Sequence, residues 1–150
     1  MRLFCNVLGE SITVFTQTRG EKNCNPGNIE RRDITWQGMA SAQTDPRFIV
    51  FTKPEYGIRA LAKTLLTYYR LHGLDTVHGI ITRWAPSEEN DTQAYINHVA
   101  SLLNVTPDDR INLEDSSTLV TLTKAIIAHE NGRVAYPDAV IEDGVDQALA

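Results

Sequence analysis

The part of the chain after residue 53 repeats apolar side chains at a spacing near 3.6, the period of an α-helix. Proline suits the first turn of a helix, and a residue such as Gly or Asn suits its end. These signals predict four or five helices. They run from Pro54 to Gly73, from Asp75 or Thr76 to Pro86, from 90–92 to Leu103, from Asp115 or Ser116 to Gly132, and, as a shorter last helix, from about Pro137 to Ala148.

The first fifty residues have a different pattern. Residues 11–17 are rich in β-branched side chains and alternate roughly between apolar and polar, which predicts a short strand, and residues 19–33 have the Gly, Pro and Asn content of a loop. Two β-like segments, 34–37 and 48–51, are predicted to pair as a small hairpin. The predicted fold class is therefore α+β, mainly α, with a small N-terminal β-hairpin lobe and four to five helices in a single domain over residues 1–150.

Length and composition support one folded unit. The chain has 150 residues, of which 42% are hydrophobic, and a chain of this size buries roughly 68–70% of the surface that its unfolded form exposes. Its longest apolar runs are far shorter than the ~18 residues of a membrane span, so we predict no transmembrane segment. The segment 1–10 lacks the pattern of a secretory signal peptide.

The net charge bears on the binding partners, and the cysteine content bears on disulfide formation. The 14 Lys and Arg residues against 19 Asp and Glu residues give a net charge of −5, which argues against nucleic acid as a partner. Arg31 and Arg32 are adjacent, so a local basic patch stays open. Cys5 and Cys24 are the two cysteines, and we expect reduced thiols, with a single disulfide between them as the alternative.

Several chemistries lack their sequence patterns. The four histidines have no metal-binding spacing, no nucleophile elbow of the Gly-x-Ser-x-Gly type is present, and no glycine-rich loop fits a phosphate. We therefore predict no metal and no cofactor. Carboxylates remain, and these suit glycoside cleavage, in which a Glu with a raised pKa protonates the leaving oxygen.

Two glutamates stand out as candidates for that acid. Glu21 lies in the Asn- and Gly-rich loop, and Glu130 lies at the end of an amphipathic helix, where the helix dipole disfavours negative charge. The alternative interpretation is structural: Glu21 as a solvated loop charge and Glu130 as a polar residue of the last helical turn. Spacing alone does not choose between these interpretations.

From about residue 18 to the C-terminus, the chain resembles phage and prophage virion structural proteins of the lysozyme-like type. Residues 1–17 lie outside the resemblance and are expected to form an extra strand or a docking segment. The resemblance rests on the segments 19–29 (RGEKNCNPGNI), 36–38 (WQG), 45–48 (DPRF), 56–61 (YGIRAL), 80–86 (IITRWAP), 89–92 (ENDT) and 129–132 (HENG).

The resemblance implies a virion-associated enzyme, or one delivered to the bacterial cell wall or periplasm, that acts on peptidoglycan glycan strands. It would cleave the β-1,4 bond between N-acetylmuramic acid and N-acetylglucosamine, as a muramidase or a lytic transglycosylase. Other virion or tail proteins are the further partners implied. The alternative is a non-catalytic virion structural or murein-binding module of the same fold.

The resemblance also points to site residues. Lytic transglycosylases carry their catalytic Glu five positions before the Pro of a Glu-Ser-x-x-Asn-Pro segment, and Glu21 stands five positions before Pro26, with Lys22 in place of the Ser. Glu21 is thus implied as general acid, with Glu130 as second carboxylate or replacement. The expected sugar contacts are Asn25, Asn28, Trp36 and Tyr95.

Overall fold

The fold was analysed in a computed structural model, which describes residues 3–5, 14–87 and 91–150. Within these ranges the chain forms two three-residue strands and six helices. The elements are β1 (Leu3–Cys5), β2 (Val14–Thr16), α1 (Arg19–Lys22), α2 (Pro54–His72), α3 (Val77–Trp84), α4 (Thr92–Leu103), α5 (Ser116–Asn131) and α6 (Asp138–Leu149). Strands β1 and β2 pair antiparallel, with Phe4 opposite Phe15.

The five helices predicted after residue 53 are confirmed, with their end signals. Pro54 begins α2, and Gly73 ends it in the left-handed conformation at φ 65°. Thr76, Asp91 and Asp115 cap α3, α4 and α5, each with its side chain accepting a hydrogen bond from the backbone N–H three residues on. Such caps satisfy N–H groups that have no partner within the helix.

The core forms where helix α2 packs against α5 and α6, and α4 joins it through α3 and α5. Its fully buried side chains are almost all aliphatic, and Tyr95 is the largest of them. The helices thus bury one continuous apolar cluster. Its residues include Ile58, Leu61, Leu65, Ile80, Ile81, Ile96, Val99, Leu119, Leu122, Ile126, Ile141 and Val145.

The prediction of an α+β class with a β-hairpin lobe is wrong, whereas the mainly α character predicted with it is confirmed, because the described residues form six helices and no strand over 34–51. Segments 34–37 and 48–51 form no strands. Residues 34–37 take part in no bridge, and 48–51 take part only in the isolated bridges Glu30–Phe48 and Met39–Phe51. The α+β architecture that the lysozyme-like resemblance implied is therefore wrong as well. The two short strands that do form lie at 3–5 and 14–16, outside that lobe.

The hairpin does not form because the backbone of 49–51 bonds to side-chain amides and to backbone groups outside 34–37, namely the Ile29 carbonyl, the Ala40 N–H and the Asn23 carbonyl. The backbone groups of Val50 bond to the Gln43 side chain, whose Nε2 donates to the Val50 carbonyl and whose Oε1 accepts from its N–H, both at 2.9 Å. Asn25 Nδ2 donates to the Ile49 carbonyl at 2.9 Å. Ile34 is 53% exposed, and within 34–37 only Trp36 is partly buried, so little of the first segment favours pairing.

The segment 19–33, predicted to be a loop, begins with the short helix α1. Thr18 and Glu21 form a reciprocal capping box, in which the Thr18 hydroxyl accepts from the Glu21 N–H at 3.1 Å and the Glu21 carboxylate accepts from the Thr18 N–H at 3.0 Å. This four-residue spacing of Thr and Glu is a known helix-start signature. The abundance of Gly, Pro and Asn after it obscured that signal.

Close packing holds the loop after α1 on the start of α2. A Cβ atom on Gly57 would lie 1.8 Å from the carbonyl oxygen of Cys24, so only glycine fits there. The loop 23–28 is thereby fixed on α2. The predicted single domain over 1–150 stays a prediction, as does the role of residues 1–17, of which residues 1–2 and 6–13 lie outside the described ranges. The side chain of Cys5 also lies outside them, so its thiol state is untested.

Candidate functional site

Glu130 lies in the last turn of α5, where it faces α4. The hydroxyl of Tyr95 donates a hydrogen bond to Oε2 of Glu130, with an oxygen–oxygen distance of 3.0 Å. Tyr95 is 1% exposed, whereas Glu130 keeps partial contact with solvent. A buried aromatic donor thus holds a carboxyl group that solvent can reach.

Burial raises the pKa of Glu130 above its ordinary value, and hydrogen bonding from Tyr95, Asn28 and Trp84 offsets only part of this effect. The position of Glu130 at the C-terminal end of α5 acts in the same direction as burial, because the helix dipole there is negative. Burial and the adjacent carboxylate also raise the pKa of Tyr95, which stays protonated and serves as a donor. Glu130 therefore has the environment of a proton donor.

Asn28 and Trp84 complete the surroundings of the carboxyl group. Asn28 adopts φ 50°, a left-handed conformation that Asn tolerates better than most residues. The Asn28 Oδ1 atom is buried and has no hydrogen-bond partner. The loop also passes close to Trp84, because a Cβ on Gly27 would lie 3.3 Å from the Trp84 ring atom Cη2. Glu130 is thus enclosed by one amide and two aromatic side chains.

Two histidines extend this cluster across the surface. The ring of His129 stacks on Tyr95 with centroids 3.5 Å apart and an angle of 19° between the planes. His129 Nδ1 lies 3.1 Å from His98 Nδ1. Burial, together with the nearby His98, lowers the pKa of His129. A neutral imidazole therefore covers the outer face of Tyr95 at neutral pH.

Glu21 has a different environment from Glu130. Its side chain is 3% exposed and pairs with Arg133, which donates to both carboxylate oxygens at 2.6 and 3.0 Å. Burial on its own would raise the pKa of Glu21, but hydrogen bonds from Arg133 and Thr18 outweigh it, and the pKa is lowered. Glu21 is thus ionised and fully bonded, which suits an anchor better than a proton donor.

The structure brings three of the six predicted site residues together, namely Glu130, Tyr95 and Asn28. Asn25 is fully buried and folds its own loop, since its side chain donates to the Ile29 carbonyl at 3.0 Å and accepts from the Ile29 N–H at 3.0 Å. Trp36 packs on a separate small cluster with Ile49 and Phe51. Asn25 and Trp36 therefore belong to the packing of the N-terminal region.

Two residues at or near the site were not among the predicted ones. Trp84 is the last residue of α3, and Arg133 follows the end of α5. The buried carboxylate of Glu21 needs a cationic partner, which Arg133 supplies, but its burial is not visible in the sequence. The chain distance of 112 residues between the two gave no hint of the pair.

Neither a metal centre nor a membrane span was found in the part of the chain that the structure describes. No group of three or more His, Cys, Asp or Glu side chains in residues 3–5, 14–87 and 91–150 could hold a metal ion. The helices of these ranges also include none with the length and apolarity required to cross a bilayer.

A comparison with known proteins decides the family. The chain is 40% identical over 131 residues to Protein P5 of Pseudoalteromonas phage PM2, an alignment that covers 85% of this chain and 80% of the phage protein. The chain belongs to the Protein P5 family. No protein-family model matches the sequence. Membership of the P5 family confirms the expected kinship with phage proteins, and the activity on peptidoglycan stays a prediction.

Proposed function

We propose that this P5-family protein is a virion-associated peptidoglycan glycosidase, a muramidase or lytic transglycosylase, in which Glu130 is the general acid. The observation that carries the proposal is the half-buried Glu130 carboxyl group, enclosed by Tyr95, Trp84 and Asn28, with a raised pKa. A carboxylic acid in an aromatic pocket is the arrangement that glycosidases use to protonate a leaving oxygen.

The proposed reaction starts with protonated Glu130. Its proton passes to the glycosidic oxygen while the bond to the anomeric carbon breaks, and the carboxylate formed is stabilised by the Tyr95 hydroxyl and the Asn28 amide. The same carboxylate then accepts a proton from the attacking group, which is water in a muramidase or the 6-hydroxyl of the muramic acid in a lytic transglycosylase. The second route needs no further carboxylate.

Glu21 takes the other role in this proposal. It was implied as the acid by the Glu-Asn-Pro spacing, but its ion pair with Arg133 supports an anchor that fixes α1 on the end of α5. The raised pKa of Glu130 supports the exchange of roles, because a general acid must be protonated at the working pH. The contrast between the two environments favours an enzyme over the non-catalytic binding module.

The test is digestion of purified peptidoglycan sacculi by the wild-type protein and by Glu130→Gln, with the soluble muropeptides identified by mass spectrometry. Glu142→Gln, on an exposed position of α6, is the matched control. We expect Glu130→Gln to lower the cleavage rate by about 10²- to 10⁴-fold, the usual contribution of a positioned general acid. Anhydro products identify a transglycosylase and reducing ends a hydrolase.

Two outcomes would overturn the proposal. Full activity of folded Glu130→Gln would reject Glu130 as the acid. Absence of cleavage by the folded wild-type protein on several wall types would reject the enzyme, and binding to sacculi in a pull-down would then favour a murein-binding module.

A further inference from the structure

Asn131 follows Glu130 at the end of α5, and its side chain reaches Thr18, the residue that caps α1. Its Nδ2 atom donates to the Pro26 carbonyl at 2.8 Å and to the Ile127 carbonyl at 2.9 Å. Its Oδ1 atom accepts from the Thr18 hydroxyl at 2.7 Å. One side chain at the end of α5 thus bonds to the loop after α1, to Thr18, the cap of α1, and to the preceding turn of its own helix.

The bond to Pro26 is the important one for the site, because Pro26 lies two residues before Asn28. The loop between them is short and closely packed, since a Cβ on Gly20 would lie 2.8 Å from Asn131 Oδ1 and 3.1 Å from Asn28 Oδ1. A displacement of the Pro26 carbonyl would therefore move Asn28. The same helical turn that carries Glu130 holds this loop in place.

The conformation of Asn28 depends on contacts with other parts of the chain. Its left-handed backbone conformation is unfavourable for a residue with a side chain, and its buried Oδ1 gains no hydrogen bond to orient the amide. Asn25 ties the loop to the segment around Ile49 and not to α5. The tie to α5 by way of the Pro26 carbonyl comes from Asn131.

We propose that Asn131 is a positioning residue that fixes the side-chain amide of Asn28 against the carboxyl group of Glu130. It acts through the Pro26 carbonyl and touches neither the substrate nor the reacting atoms. The catalytic meaning of this arrangement rests on the proposed function, whereas the arrangement itself is independent of any activity.

The test is the titration of the Glu130 carboxyl carbon by nuclear magnetic resonance in the wild-type protein, Asn28→Gly, Asn131→Ala and the double variant. Glycine keeps the left-handed backbone at position 28 and removes only the amide. The loss of a hydrogen bond to a charged group raises the pKa of Glu130 by on the order of one unit. We expect the same upward shift in Asn131→Ala and no additional shift in the double variant.

The controls separate positioning from general stability. Thr121→Ala removes a side-chain hydrogen bond to the Ser117 carbonyl on the same helix, and it should leave the Glu130 titration unchanged. If Asn131→Ala does not fold, Asn131→Ser replaces it, because serine keeps a hydroxyl but cannot reach the Pro26 carbonyl. An unchanged Glu130 pKa in a folded Asn131 variant, or additive shifts in the double variant, would overturn the proposal.

A second test uses hydrogen exchange in the wild-type protein and needs no substitution. The amide protons of the Asn131 side chain should exchange with solvent more slowly than those of the exposed Gln37. Equal exchange rates would overturn the proposal. Neither measurement requires murein cleavage, so an inactive wild-type protein would reject the proposed function and leave this inference to be decided by the titration.

Discussion

The hydroxyl of Tyr95, on α4, donates a 3.0 Å hydrogen bond to Oε2 of Glu130, 35 residues further along the chain on α5. Tyr95 is the largest fully buried side chain, so the bond ties the carboxyl group to the rigid part of the core. Glu130 is at the same time enclosed enough for its pKa to be raised. The hydrogen bond from Tyr95 thus fixes the orientation of the Glu130 carboxyl group, while the raised pKa makes that group easier to protonate.

The substitution Tyr95→Phe tests this bond directly. It removes the hydroxyl that favours the charged form of Glu130, so the pKa of Glu130 should rise further, by on the order of one unit. Carbon-detected titration of the carboxyl group measures the shift. Tyr69→Phe is the control, because the Tyr69 hydroxyl bonds to Asn112 at an exposed position. An equal shift in both variants, or a lower pKa in Tyr95→Phe, would contradict this prediction.

The ion pair of Glu21 with Arg133 predicts a loss of stability in acid. Because the pKa of Glu21 is lower in the folded than in the unfolded state, its contribution is fully present above the unfolded value and is lost as the pH falls through the folded value. At pH 7, Glu21→Gln should lower the free energy of unfolding by about 2 kcal/mol. Denaturant unfolding of both proteins at a series of pH values measures this difference.

The difference in unfolding free energy between wild type and Glu21→Gln should stay constant at neutral pH. It should decrease once the pH falls below the ordinary value of 4.5. Glu142→Gln, on the exposed face of α6, provides the comparison. A difference that persists unchanged well below pH 3, or none at pH 7, would show that the ion pair does not stabilise the fold.

The contact between Gly57 and Cys24 predicts a severe effect of a single methyl group. In Gly57→Ala, the new Cβ would meet the backbone oxygen of Cys24 at 1.8 Å, and backbone cannot move aside as a side chain can. We expect a loss of about 3 kcal/mol or more in unfolding free energy. Gly79→Ala, also within a helix, meets the Thr76 hydroxyl at 3.3 Å and the Leu74 Cδ2 at 3.4 Å, both side-chain atoms, and should be tolerated far better. Similar thermal unfolding of both variants would contradict the packing.

The helices could be predicted because their signals are local. Periodic apolar residues and the caps Thr76, Asp91 and Asp115 act within a few residues, and each of these helices begins where its cap indicated. The hairpin prediction failed for the opposite reason. The segment around Val50 bonds to the side-chain amides of Gln43 and Asn25 and to backbone groups at positions 23, 29 and 40, and alternation of apolar residues carries no information about these partners.

The candidate site was predicted in part. Glu130 was named because a negative charge at a helix end requires compensation, and Tyr95 and Asn28 were named as sugar contacts. Their convergence depends on the packing of α4 and the loop 23–28 against α5. The proposed exchange of roles between Glu21 and Glu130 rests on the ion pair with Arg133, and a pair that spans 112 residues has no signature in the local sequence.

The most direct test of Glu130 as the general acid combines its titration in the intact protein with the pH dependence of murein cleavage. A general acid works only while protonated, so kcat/KM on sacculi should fall as the pH rises through the pKa of Glu130, above its ordinary value of 4.5. The account predicts that the two midpoints coincide and move upward together in Tyr95→Phe. Cleavage that continues undiminished about two units above the measured pKa of Glu130 would contradict it.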